Sequence, residues 1–207
     1  MTFNYFDLGL FDGKEISMFL AEMEELGIED YNVYGFEAHP EYSSRIAESF
    51  RDNPRVEIYN LAISDKSGET VKLYIEKTGH GNSIYPTKNN IDINKFVEVE
   101  SVCFSEWLDK KFHYETFHSA YNILRFNIEG AEVPLMNRLI EEGYQNSFDL
   151  YLSSAITGED ILKVEELKPL HAEYIELLQK NLIQTYPYCF TLKDRNVKIK
   201  DFISPFV

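Results

Sequence analysis

The chain is short of cysteine, of cationic charge and of long apolar runs, and each shortage excludes a class of protein. Its 207 residues include only Cys103 and Cys189, too few for a disulfide framework or a cysteine-based zinc site. Both read as small hydrophobes. No apolar run approaches the roughly 20 residues of a membrane span, and no basic segment precedes an apolar stretch in MTFNYFDLGLFDG. Those absences predict a cytoplasmic protein with no secretory signal and no membrane partner. Lysine and arginine number 20 against 35 aspartates and glutamates, a formal net charge of −15. A field of that sign repels phosphate backbones, whose binding depends on cations displacing counterions, so no nucleic-acid partner is expected. A small neutral substrate stays open.

What the chain has in quantity is rings and alternation. Its 15 Phe and 14 Tyr supply an aromatic core with some exposed faces. The length fits one domain over 1–207, with no repeat or linker. Strand-length apolar runs alternate with helical patterns, which predicts an α/β, Rossmann-like fold: a mainly parallel sheet with helices on both faces. Strands are expected at 3–8, 31–36, 56–63, 97–102, 121–128 and 148–153, with 70–75 as a hairpin partner after the turn at Asp65-Lys66-Ser67-Gly68. Helices are expected at 13–26, 40–50, 104–110 and 132–142. In the first, Ile16, Phe19, Leu20 and Met23 share a face, and Gly27 ends it. Residues 158–182 read as one long amphipathic helix. Residues 188–192 and 197–203 read as an antiparallel pair closing the sheet. The stretch 78–96, rich in Gly and Asn, is a loop of the size that functional loops have.

Four strand ends carry polar or small residues suited to a ligand. Asp7, Gly9 and Gly13 form a D-x-G-x-x-x-G turn, distinct from the dehydrogenase G-x-G-x-x-G. Its glycines let the backbone approach a ligand before a helix N-terminus, and its acid suits a cationic amino group better than a pyrophosphate. A plain strand-to-helix turn has the same pattern. Glu37, ending the second strand, can accept both hydroxyls of a ribose, or can cap a helix. Ala62 and Ile63 can flank an adenine ring or pack a core. Asn127 and Glu129 end a buried strand, where polar groups need a partner that a ligand can supply.

Taken in order, FDLGLFDG, YGFEAHPE, NLAISDKSGE, the Asn82-Ser83 loop and LRFNIEGAEVPLMNRL resemble the FkbM methyltransferase family over about residues 5–145. The resemblance implies a class I methyltransferase fold. It also implies S-adenosylmethionine as cofactor and O-methylation of a hydroxyl on a sugar or other small metabolite. By the same likeness Asp7, Gly9 and Gly13 line the methionine part, Glu37 takes the ribose, and Ala62 with Ile63 lies near adenine. Where the family shows Lys-x-Asp-x-Glu-Gly, this chain has Arg125-x-Asn127-x-Glu129-Gly130, and Asn127 cannot act as a carboxylate. Many methyltransferases carry a helix ahead of the first strand that covers the cofactor. Here the first strand begins almost at Met1, so the site is expected to be open, or completed by the loop 78–96 or by a second subunit of a homodimer.

A hydroxyl acceptor benefits from a general base. His80, in the irregular loop, is the first candidate, with Glu129 and Glu132 as rivals. No metal site is expected, since no His and carboxylate ligands show suitable spacing. Two alternatives remain: a methyltransferase acting on nitrogen, on protein or on a nucleotide, and a cofactor-binding module without turnover.

Overall fold

Every residue of the first strand, β1 (Phe3–Leu8), is buried in the computed structural model, which describes residues 1–77, 79, 81–155, 158–190 and 196–203. Phe3 and Tyr5 join the core on one side of the sheet, and Phe6 and Leu8 the core on the other. A strand covered on both faces reads as a continuous apolar run rather than an alternating one. The chain continues through α1 (Lys14–Leu26), β2 (Tyr31–Phe36), α2 (Pro40–Phe50), β3 (Val56–Tyr59), β4 (Ala62–Ser64), β5 (Thr70–Glu76) and β6 (Ile91–Cys103). Then follow α3 (Phe104–Lys111), α4 (Tyr114–His118), β7 (Tyr121–Phe126), α5 (Glu132–Glu141), β8 (Leu150–Ser153), α6 (His171–Lys180), β9 (Thr185–Pro187) and α7 (Lys200–Ile203).

The main sheet runs β3-β2-β1-β7-β8-β9, with every neighbouring pair parallel. The chain winds outward from β1 to β3, then returns to β7 on the opposite side of β1. That reversal is the switch point where open α/β sheets bind ligands, beyond the carboxyl ends of the strands. A smaller sheet, β4-β6-β5, stands beside it. Among the described residues no helix is long and apolar enough to cross a membrane.

Four expectations are corrected. The strand expected over 56–63 is two strands, because the Asn60 side chain donates to the carbonyls of Glu37 at 2.9 Å and Ala38 at 2.8 Å. The backbone turns there, and β4 pairs with β6 instead of β2. Strand β6 begins at Ile91, ahead of the expected 97. Its first residues are largely exposed, so hairpin pairing with β5 holds them without an apolar pattern. The long helix over 158–182 is two single 3-10 turns, Ile161–Lys163 and Lys168–Leu170, followed by α6. Pro169 has no amide hydrogen for a helix interior, and Val164 adopts extended backbone and bridges to Lys88. Finally, no antiparallel pair closes the sheet within the described residues. Strand β9 lies parallel to β8 because α6 carries the chain back across the sheet. Lys200–Ile203 is helical, and 191–195 fall outside the described residues.

The turns leaving β1 and β7 are pressed together at the switch point. Gly9 has φ +91°, and a Cβ there would stand 2.1 Å from the Asn127 carbonyl oxygen. Gly27, also at positive φ, has nothing within 4 Å of such a Cβ. Gly27→Ala is expected to cost about 1 kcal/mol of backbone strain, and Gly9→Ala about 3 kcal/mol or more through strain plus collision. Urea midpoints of the two variants check this, and equal losses would show that the two turns separate freely.

Candidate functional site

A solvent-open cleft lies at the carboxyl ends of β1, β2 and β7. Gly9, Phe11, Glu37, Ala62, Ile63, Asn127 and Glu129 are on its walls. Of the residues expected to bind a cofactor, five are thus brought together: Gly9, Glu37, Ala62, Ile63 and Asn127. Glu37 is 7 % exposed, and the Phe11 and His39 amides donate to its two carboxylate oxygens at 2.8 Å each. Burial raises its carboxyl from the ordinary value against the pull of those amides. With the Leu10 amide also turned toward it, the carboxylate still keeps acceptor capacity for a ligand hydroxyl. Ala62 and Ile63 are buried and offer an apolar wall. The Asn127 carbonyl Oδ1 accepts a hydrogen bond from Ser154.

Asp7 stands elsewhere. It is fully buried, Arg125 donates to it at 2.8 Å, and the Tyr5 hydroxyl donates at 3.2 Å. Arg125, itself 2 % exposed, also donates to the Gly9 carbonyl at 2.7 Å and stands 3.7 Å from Glu15. The acid expected to meet a ligand's ammonium is therefore taken by a guanidinium behind the cleft. Gly13 is likewise off the lining. It caps α1 with φ +75°, and an added Cβ would meet Ile46 at 3.0 Å.

The turn after β7 sorts the two candidate bases. Glu129 has φ +56° and lies on the cleft wall, its carboxylate 3.1 Å from the Lys88 ammonium. The Ser83 hydroxyl fixes its carbonyl at 2.7 Å. Burial, followed by the charge of Asp160, raises its carboxyl above the ordinary value. Glu132 turns inward instead, accepting from the Ile128 amide at 2.8 Å and the Gly130 amide at 2.6 Å. It is 3 % exposed, is absent from the lining and acts as the staple of the turn. His80, the first candidate base, lies outside the described residues. Asn82 and Ser83, marked in the sequence only as a loop of the resemblance, lie on the cleft wall, while Lys88 and Tyr42 were not singled out from sequence. A lysine among asparagines in an irregular loop carries no pattern that marks it for burial. No group of three or more His, Cys, Asp or Glu among the described residues is placed to hold a metal ion.

The chain matches no protein-family model, no curated protein and no solved structure. What the cleft binds is a question for its own side chains.

Two outcomes are expected. Asp7→Ala leaves Arg125 charged and buried without its nearest carboxylate, and should cost about 3–5 kcal/mol of stability in urea unfolding. A loss under about 1 kcal/mol would return Asp7 to the list of ligand contacts. For Glu132, burial and the neighbouring Asp160 raise the carboxyl from 4.5 to about 7. The folded protein therefore holds this proton more tightly than the unfolded chain. The resulting stability is complete below pH 4.5 and is lost as pH rises through about 7. Urea midpoints between pH 5 and 8 should fall in the native protein and flatten in Glu132→Gln.

Proposed function

We propose that the cleft binds S-adenosylmethionine and that the protein transfers its methyl group to a hydroxyl of a small molecule. One observation supports this above the others: the described lining contains the carboxylates of Glu37 and Glu129 and no lysine or arginine. A ligand with a sulfonium and an ammonium suits such a wall. Glu129 is paired with Lys88 behind it, which leaves Glu37 as the carboxylate without an ion pair among the described residues, and a pyrophosphate finds no lysine or arginine on the lining to receive it.

The residues present fit the ligand from ribose to adenine. Glu37 can accept from a ribose diol, and Ala62 with Ile63 can pack an adenine face. At the methionine end the Gly9 peptide, Asn127 and Glu129 take the place that resemblance gave to Asp7. When bound, the sulfonium supplies an activated methyl group. The protein's own part is to orient the acceptor and accept its proton, for which Glu129 is the carboxylate on the wall. Gly9 is the point where only backbone stands between ligand and sheet.

A second reading, a nicotinamide dinucleotide, is favoured by the all-parallel 3-2-1-4-5-6 strand order. Against it stand the D-x-G-x-x-x-G turn and the anionic lining.

Calorimetric titration with S-adenosylhomocysteine, NADH and ATP distinguishes the two. Saturable binding of the first alone is expected, weakened at least about tenfold in Glu37→Ala through loss of charge-assisted hydrogen bonds. No binding at millimolar concentration, or binding of NADH instead, overturns the methyl-donor reading.

A further inference from the structure

Three of the five residues from Gly9 to Gly13 have positive φ: Gly9 at +91°, Gly13 at +75° and, between them, Phe11 at +52°. Glycine takes that backbone freely, whereas a large L-residue is strained there by its own Cβ. A glycine at position 11 would relieve the strain and keep the amide that donates to Glu37 at 2.8 Å. The amide therefore does not account for a phenylalanine at this position. What the strained backbone retains is the ring, and strain of this kind concentrates at functional sites.

Phe11 is half-buried and lines the cleft together with Glu37, Gly9 and Asn127. Its ring meets that of Tyr42 edge-to-face, with centroids 5.5 Å apart and planes at 90°. Two other aromatic residues border the cleft. Phe36 is buried in the core. Tyr42 is already stacked on His39 at 4.3 Å and has the Arg45 guanidinium 5.2 Å from its centre. A ring attracts a cation over its face through its quadrupole, and a carboxylate on the same wall adds to that attraction. Phe11 is the residue that brings such a ring next to Glu37.

From this placement we infer that Phe11 is a specificity residue, whose ring distinguishes the charged methyl donor from its neutral product. The inference rests on the reading of the cleft as the methyl donor's site. S-adenosylmethionine and S-adenosylhomocysteine share adenine, ribose, ammonium and carboxylate. Apart from the methyl group they differ only in the charge on sulfur. Glu37, Ala62 and Ile63, on the ribose and adenine, meet both ligands alike. As the methyl group passes to the acceptor, the electron pair of the broken carbon–sulfur bond stays on sulfur, which becomes a neutral thioether. The attraction of the ring ends with that charge, so the wall that holds the donor loosens on the product. A saturated side chain of similar bulk has no such preference.

Calorimetry with S-adenosylmethionine, S-adenosylhomocysteine and sinefungin tests this. Sinefungin carries an ammonium in place of the sulfonium and has no transferable methyl group, so it separates charge from the methyl. The native protein is expected to bind the two ligands charged at that position about tenfold more tightly than the thioether. Phe11→Leu keeps the apolar bulk and the amide that holds Glu37, and should shrink that preference about fivefold. Phe11→Gly should shrink it as much, while Phe11→Tyr should retain it. Glycine suits the backbone at this position, so Phe11→Gly decides the matter if the leucine variant does not fold. An equal loss of affinity for all three ligands, as a merely structural wall would give, or an unchanged preference overturns the inference and leaves the methyl-donor reading in place. Failure of all three to bind the native protein removes that reading and this inference with it.

Discussion

Arg125 is the charge on which the geometry of the cleft depends. It sits on β7 directly opposite Asp7 of β1 in the parallel register, and it also grips the Gly9 carbonyl beyond the end of β1. Glu15, at the start of α1, is its third neighbour at 3.7 Å and in turn accepts from the Phe190 amide at 2.9 Å. One guanidinium thus ties two strands, the first turn, the first helix and the chain after β9. Buried ion pairs add little net stability, because desolvating both charges offsets most of their attraction, yet breaking one is expensive. What such a pair supplies is registry. Here the registry concerns Gly9 and Asn127, whose backbones touch at the floor of the cleft.

That arrangement divides carboxylates that look alike in the sequence. Asp7, Glu15, Glu37, Glu129 and Glu132 all stand at ends of elements around one crevice. Asp7 and Glu15 serve the guanidinium, and Glu132 gives both oxygens to the amides of the turn it closes. Glu37 is also bound by two amides but lies on the wall, so these bonds aim it rather than consume it. Glu129 is held by Lys88 at 3.1 Å, with Lys163 at 4.0 Å, and by its own left-handed backbone, in a position that two cavities share. Residue type alone does not separate these roles; the direction of the neighbouring backbone does.

The same distinction explains what could be read from the sequence. Strands β1 and β2 and helix α2 were legible to the residue, and helix α1 with its Gly27 stop to within one, because each is buried on a face whose period the sequence repeats. Gly9 and Glu37 followed from those boundaries, whereas Ala62, Ile63 and Asn127 were read from strands whose bounds the structure shifts. Breaks were less legible. Asn60 ends a strand through its side chain's reach to another loop, and the bridge of Val164 to Lys88 interrupts an apolar period that would otherwise suit one helix. Pro169, in the second of the two 3-10 turns, is the local residue that fits the break. The role of Asp7 failed for a related reason, since its partner lies 118 residues away. A carboxylate before a glycine turn looks the same whether it faces solvent or a guanidinium.

The net charge of −15 acquires a local meaning once the cations are placed. Arg125 is enclosed among acids behind the cleft, and Lys88 is enclosed beside Glu129. Neither is among the residues that line the cleft, although Arg125 borders an adjoining cavity that shares Gly9, Phe11 and Asn127 with it. A unit positive charge about 4 Å from a carboxylate gains about 1 kcal/mol in water and about 4 kcal/mol at an effective dielectric constant of 20. A phosphate at the same place loses a comparable amount. Against such a wall the strand order, which dinucleotide-binding proteins share, is the weaker guide. Topology says where a ligand sits, and the sign of the lining selects its charge. In this molecule the described lining carries two carboxylates and no lysine or arginine, and a cationic ligand fits that sign better than a pyrophosphate does.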